Sequence, residues 1–188
     1  ITSSIRYALT IQQAILPIKS EIDKKFENFI YYIPKDIVSG DFYWYSVIKN
    51  ESAKNENIII AVVDCTGHGV PGAFMSMIGY SLLNDIVERN PPDAALILSK
   101  LHTAIRTSLQ QDTSDNVDGM DIALVVIKNN GKTLDYAGAM NSLVYIQNGT
   151  MNVIKGNRYG IGGKQNAEYR VFTNHSISID TPTTIYLY

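Results

Sequence analysis

Only one cysteine, Cys65, occurs in the 188 residues of this chain. That excludes an internal disulfide and any zinc cage built from several thiolates, and it suits a reducing compartment. Charge of one sign is lacking too: 16 Lys and Arg against 18 Asp and Glu leave a formal net charge of −2. With no basic cluster there is no electrostatic footprint for nucleic acid or for an anionic membrane. No run reaches the roughly 18 apolar residues that a membrane span needs, and the first residues are neither a basic n-region nor a signal-type apolar core. A cytoplasmic domain is expected, whether or not its parent protein is tethered to a membrane elsewhere. Repeats, low-complexity tracts and internal linkers are missing as well. A 45% hydrophobic content beside 18% charged residues then implies one folded domain with a real core.

What the chain does have is the stretch from Ile58 to Met77. Ile58 to Val63 is an unbroken apolar, mostly β-branched run, as in a strand buried on both faces, and it stops at the carboxylate of Asp64. Thr66, Gly67, His68, Gly69 and Pro71-Gly72 follow as a tight turn that can bring backbone groups against a ligand before helical periodicity begins. An acid in this place also serves as a turn or helix-cap residue. A second acid changes the balance. Asp41 follows Ser39-Gly40 and belongs to the aromatic strand Phe42-Tyr43-Trp44-Tyr45. Burying a lone carboxylate is costly, so two acids in adjacent apolar strands are better explained by a shared cation than by accident.

A third acidic group, Asp112, Asp115, Asp118 and Asp121, surrounds the start of an apolar run from Ile122 to Ile127. Taken alone it reads as a solvated loop with side-chain-capped turns. Hard oxygen donors without a Cys/His set point to Mg²⁺ or Mn²⁺. Two such ions roughly 4 Å apart lower the pKa of a shared water and clamp both ends of an in-line phosphoryl displacement. Phosphate-ester hydrolysis is the chemistry that fits.

Periodicity supplies the scaffold. Ile1, Ile5, Ala8, Leu9, Ile15 and Leu16 predict a helix ending at Pro17. Its stripe begins at residue 1 without a cap, so the helix continues a preceding linker helix, pairs with a second copy, or packs on its own domain. The polar residues from Lys19 to Lys25 read as a solvated face, and Phe26 to Ile33 as a strand before Pro34. Asn50 to Asn57 reads as a surface loop of a long hairpin. Phe74, Met77, Ile78, Leu82 and Ile86 predict an amphipathic helix to about Arg89. Pro91-Pro92 breaks the chain, Asp93 is a good N-cap, and Ala94, Leu98, Leu101, Ile105 and Leu109 mark a second helix with His102 at or near its surface. Asn130-Gly131 and Asn148-Gly149 each predict a hairpin turn needing positive φ, the flanking strands being Ile122 to Ile127 with Leu134 to Ala137, and Ser142 to Ile146 with Met151 to Ile154. Gly160 to Gly163 reads as a loop, and Tyr169 to Thr173, Ser176 to Ile179 and Thr184 to Tyr188 as short strands. Strands, two helices, then strands again indicate an α+β fold with helices layered on antiparallel sheets.

Four stretches carry a family resemblance: Ser39-Gly40-Asp41-Phe42-Tyr43, Val63-Asp64-Cys65-Thr66-Gly67-His68-Gly69-Val70-Pro71-Gly72, Asp118-Gly119-Met120-Asp121-Ile122-Ala123-Leu124, and Ala137-Gly138-Ala139-Met140-Asn141. In order and spacing they resemble successive motifs of the metal-dependent PPM (type 2C) protein serine/threonine phosphatases, in their bacterial SpoIIE-like branch, from about Gln12 to Tyr188. The resemblance implies a four-layer αββα sandwich of two antiparallel β-sheets flanked by helices, two Mn²⁺ or Mg²⁺ ions between the sheets, and hydrolysis of phosphoserine or phosphothreonine in a signalling protein. Carried over by position, Asp41 and Asp64 are metal ligands, Asp64 bridging both ions, and Cys65 offers its backbone carbonyl. Asp118 and Asp121 lie near the site or at an additional metal position. His68 donates a proton to the leaving alkoxide, or only fixes its glycine turn.

The same resemblance divides the chain into a linker-like helix, 1–17, and a phosphatase domain, 18–188. It implies the effector domain of a bacterial sensor protein, acting in sigma-factor regulation on a phosphorylated anti-sigma-factor antagonist, with a homodimer through the first helix. One departure matters. In the family a strand resembling Thr184 to Tyr188 leads into a Ser/Thr-Asp-Gly motif and a later acid, whereas this sequence ends at Tyr188. The expectation is a domain missing its C-terminal part, which binds one metal poorly and turns over slowly or not at all, although the parent protein is an active enzyme. Two rivals fail on the residues: a cysteine-dependent phosphatase needs an arginine where Pro71 stands, and Thr66 to Gly72 lacks the Lys-Ser/Thr ending of a phosphate-cradling loop. The alternative from another class is a catalytically inactive module of the same fold that acts by protein–protein contact, which Mn²⁺ would not stabilise.

Overall fold

The computed structural model describes residues 2–50, 55–89, 93–128, 130–163 and 169–188. Its elements in chain order are α1 (Thr2–Ile15), α2 (Lys19–Asp23), β1 (Phe42–Asn50), β2 (Asn55–Cys65), α3 (Gly69–Arg89), α4 (Ala94–Ser108), β3 (Gly119–Lys128), β4 (Thr133–Ala139), β5 (Leu143–Gln147), β6 (Thr150–Ile154), β7 (Ile161–Gly162), β8 (His175–Ser178) and β9 (Thr183–Tyr186). The large sheet runs β1-β2-β3-β4-β8, with β7 added at the start of β3; the small sheet runs β6-β5-β9. Every ladder between these strands is antiparallel. This is the expected α+β architecture with two antiparallel sheets.

Alternation along the strands sorts residues into two cores. On one face of the large sheet Trp44, Ile59, Ala61, Val63, Ile122, Leu124 and Val126 meet Leu83 and Val87 of α3 and Leu98, Leu101 and Ile105 of α4. On the other face Ile58, Ala123, Val125, Ile127, Leu134 and Tyr136 meet Leu143, Tyr145, Ile154 and Ile185 of the small sheet. Because β3 is covered on both faces, it reads as a continuous apolar run. The outward side of the small sheet leaves Met151, Val153 and Tyr186 exposed. Among the described residues no helix is long and apolar enough to cross a membrane.

Local signals explain most boundaries. Asp93 caps α4 by accepting the Leu96 amide at 2.7 Å. Asn130 and Gly131 (φ 55° and 80°) close the β3–β4 hairpin, and Asn148 and Gly149 (φ 51° and 74°) close β5–β6, where both turn residues must be left-handed. The expected break at Pro91-Pro92 lies outside the described residues.

Several expectations need correction. Phe26 to Ile33 forms no strand, because its backbone has no ladder partner in spite of its β-favouring side chains. Tyr169 to Thr173 forms no strand either: the Thr173 amide donates to Asn157 Oδ1 and the Val171 carbonyl accepts the Tyr159 hydroxyl, and the strand nearby is β8. The polar stretch after Pro17 contains the short helix α2, its surface ion pairs Lys19–Asp23 and Lys24–Glu21 staying solvated as expected. Helix α3 begins at Gly69, ahead of Pro71, whose missing amide costs nothing in a first helical turn. Its buried face departs from the anticipated stripe in the first half only: Phe74 is 64% exposed while Gly72, Ala73, Met75, Ser76 and Gly79 face inward, whereas Ile86 is buried and Ile78 and Leu82 pack against the core as expected. The small residues decide this. A Cβ on Gly79 would lie 2.9 Å from Met120 Cε and 3.2 Å from Phe42 Cζ, so the helix can approach the sheet only along that side. His102 is fully buried, not at the surface, with its Nδ1 accepting the Gly162 amide at 3.0 Å.

Candidate metal centre

The site grows from the β1–β2 pairing. Phe42 lies opposite Val63, so Asp41, just ahead of β1, falls beside Asp64 near the end of β2. The two carboxyl groups come within hydrogen-bonding reach of each other when one carries a proton. Partial loss of water first, and then the charge of Asp64, push Asp41 up to about 6. The β2–β3 ladder brings in a third acid, because Asp64 is the register partner of Asp121. Desolvation followed by the charge of Asp64 raises Asp121 as well. Three acids thus gather at one end of the large sheet, the charge of Asp64 making ionisation of Asp41 and of Asp121 more costly.

Close backbone approach makes this crowding possible. A Cβ on Gly40 would sit 2.6 Å from the Gly67 carbonyl oxygen, and one on Gly72 would meet that same oxygen at 2.6 Å and Gly40 Cα at 2.9 Å. Only glycine at 40 and 72 lets the Asp41 turn, the Thr66–Gly67 turn and the start of α3 touch. The turn is stitched on its other side to β3: the Thr66 amide donates to the Gly119 carbonyl, the Gly119 amide to Thr66 Oγ1, and that hydroxyl to Asp118 Oδ1 at 2.9 Å. Asp118 Oδ2 accepts from Asn116 Nδ2. Asp118 is therefore engaged in holding the loop.

A cleft of about 280 Å³ opens over Asp41 and Asp64, lined also by Lys35, Asp36, Ser39, Gly40, Cys65, Gly67 and His68. Asp36 escaped the sequence reading; its Oδ2 lies 2.6 Å from His68 Nδ1. No local signal marks this pair, since its members are far apart in the chain. Cys65 is buried in the helix-side core, and desolvation, then the charges of Asp41 and Asp64, push its thiol above its ordinary range. The thiol is consequently no nucleophile here. Asp112 and Asp115 stand apart from the cleft lining, and Asp112 pairs with Arg106.

Among the described residues, no three His, Cys, Asp or Glu side chains gather tightly enough to enclose an ion. The donor chemistry nonetheless fits a hard divalent cation. Asp41 and Asp64 supply only oxygen, Asp41 is pushed toward protonation by partial burial and then by the charge of Asp64, and Mg²⁺ is typically held by one or two carboxylates while keeping several waters. A cation placed between them would relieve the repulsion that raises Asp41.

The fold is that of solved PP2C phosphatase domains. The stage II sporulation protein E (SpoIIE) family profile matches residues 54–188, and the chain belongs to that family. It is similar to the SiaA-PP2C domain of Pseudomonas aeruginosa, with 34% identity over 99% of this chain and 70% of that one, at a TM-score of 0.80. The PP2C phosphatase domain with a fragment of the regulatory domain of SpoIIE from Bacillus subtilis shares the fold, at 17% identity over 78% of this chain and 39% of that one, TM-score 0.58. So does RsbX in complex with magnesium, at 13% identity over 80% and 65%, TM-score 0.58. A comparison with curated protein sequences gave no match.

Proposed function

We propose that this domain hydrolyses phosphoserine or phosphothreonine in a bacterial signalling protein, using two Mn²⁺ or Mg²⁺ ions, as the effector domain of a cytoplasmic or membrane-tethered sensor. The observation that carries the reading is the meeting of Asp41 and Asp64 beneath an open cleft. Both carboxylates are the ligands, with the Cys65 backbone carbonyl beside them and Asp121 and Asp118 at the margin toward β3. When bound, the ions activate a water and neutralise charge on the phosphoryl group. The chain's own residues orient and move protons. His68, whose Nδ1 is occupied by Asp36, has Nε2 left for handing a proton to the departing seryl oxygen. Lys35 brings positive charge to the same cleft.

Membership of the SpoIIE family supports a phosphorylated protein substrate, such as an anti-sigma-factor antagonist. The exposed side chains of Tyr7 and Ile11 on α1, with Ile18 just beyond it, support pairing of two copies through the first helix. The test is hydrolysis of a phosphoserine peptide and of p-nitrophenyl phosphate with and without Mn²⁺, together with thermal stabilisation by Mn²⁺. Metal-dependent turnover is expected. Stability unaltered by Mn²⁺, with no turnover, would overturn the proposal in favour of a domain that acts by protein contact alone.

A further inference from the structure

Helix α1 is expected to bury an apolar stripe, yet Ile5, Ala8, Leu9 and Ile15 are only half-buried, and the one residue of the helix that is fully buried is an amide, Gln12. Its side chain is 3% exposed, and its nearest partners, Ser39 and Ser76, are 4% and 1% exposed. Gln12 Nε2 donates to the Ser39 carbonyl at 2.7 Å and to Ser76 Oγ at 2.9 Å, while Gln12 Oε1 accepts the Ser39 amide at 2.9 Å. A side-chain amide that exchanges both hydrogen bonds with one backbone residue does what a neighbouring strand would do. Residues 39–41 need such a partner because they precede β1 and lie outside its ladder.

From Ser39 the constraint passes straight to the site. Ser39 Oγ accepts the Asp41 amide at 3.0 Å, and the Asp41 carbonyl accepts the Tyr32 hydroxyl at 3.0 Å. Between them sits Gly40, pressed against the Gly67 carbonyl so closely that a Cβ has no room. A turn this tightly packed cannot shift without moving the Asp41 carboxylate relative to Asp64. Ser76 ties the same amide to α3, the helix that follows the glycine turn.

We infer that Gln12 is a positioning residue for the metal centre: through Ser39 it sets where the Asp41 carboxylate stands relative to Asp64. The inference rests on the metal-centre reading proposed above. Groups that orient a ligand without touching the ion typically contribute roughly 10–100-fold to metal affinity. An apolar residue would fill the same space without needing partners, which is what makes a buried amide here informative.

The experiment compares the parent protein with Gln12→Ala, Gln12→Glu and, as a control on the exposed side of α1, Gln13→Ala. Gln12→Glu keeps the size and the acceptor for the Ser39 amide and loses the donors, so it serves should the alanine variant fold poorly. Amide hydrogen exchange is followed in the metal-free proteins, and Mn²⁺ affinity by calorimetry. The expected result is faster exchange at residues 39–41, with β3 and β4 unaffected, and Mn²⁺ binding weakened by about tenfold in the Gln12 variants alone. Unchanged exchange at 39–41, or acceleration spread evenly over β3 and β4 with Mn²⁺ affinity retained, would overturn the inference and leave Gln12 as ordinary packing. A parent protein without Mn²⁺ affinity would end the metal reading itself, while the metal-free exchange comparison would still judge Gln12.

Discussion

Asp64 on β2 stands directly opposite Asp121 on β3 in the antiparallel ladder, and Asp41 meets Asp64 from the β1 side. Asp64 is thus the middle member of three acids brought together by strand register. Like charges in that order are tolerable only if a proton or a cation comes between them.

The pH dependence of the metal-free protein follows. Asp41 holds its proton more tightly when folded, so between its ordinary value of 3.8 and about 6 the folded state carries more protons than the unfolded one. Stability from this group therefore falls as pH rises through that window, and Asp121, shifted in the same direction, adds to the trend. Thermal unfolding in EDTA is expected to show a midpoint that rises from pH 7 toward pH 5, with the slope flattened by saturating Mn²⁺. Asp135, held below its ordinary range by Lys128 and Ser176 in opposition to its burial, contributes stability above that range and loses it only in stronger acid.

Replacing the central acid separates stability from activity. Asp64→Asn removes the charge that faces both Asp41 and Asp121, so the metal-free protein should melt higher and show a shallower pH slope, the part due to burial remaining. Metal-dependent hydrolysis should fall by at least about a hundredfold, since a ligand is worth no less than the groups that orient it. Melting curves in EDTA beside turnover in Mn²⁺ check both halves.

His68 is tested by the leaving group. A seryl alkoxide needs a proton as it departs and a nitrophenolate does not. His68→Gln should therefore slow a phosphoserine peptide by roughly a hundredfold or more and p-nitrophenyl phosphate only slightly. Asp36→Asn should slow the peptide while keeping the same substrate contrast, because the imidazole loses the carboxylate that orients it.

Gly40→Ala places a methyl group where the Gly67 carbonyl oxygen already stands, 2.6 Å from the new Cβ. The expected cost is about 1–3 kcal/mol, read from the shift of the denaturant midpoint. Mn²⁺ affinity should fall with it, because the Asp41 turn has to move away from Asp64.

Cys65 should resist alkylation in the folded protein and react once it is denatured, because the thiol is buried and its thiolate disfavoured. Time courses with a fluorescent maleimide, with and without denaturant, measure this, and activity should survive the treatment of the native form.

The sequence by itself determined everything that depends on local pattern. The acids at 41 and 64 announce themselves because they stand at the ends of apolar strands, the two Asn-Gly turns because few other pairs accept two left-handed residues, and α4 because its cap and its period agree. Only the tertiary structure decided which surfaces meet. Small residues at the start of α3 turned Phe74 outward and set Ala73, Ser76 and Gly79 against the sheet. His102 went inside because the Gly162 amide met it there, and Phe26 to Ile33, for all its strand-like composition, joined no sheet. Above all, the pairings of Gln12 with Ser39 and of Asp36 with His68 join polar residues distant in the chain, and such contacts have no period by which a sequence could reveal them.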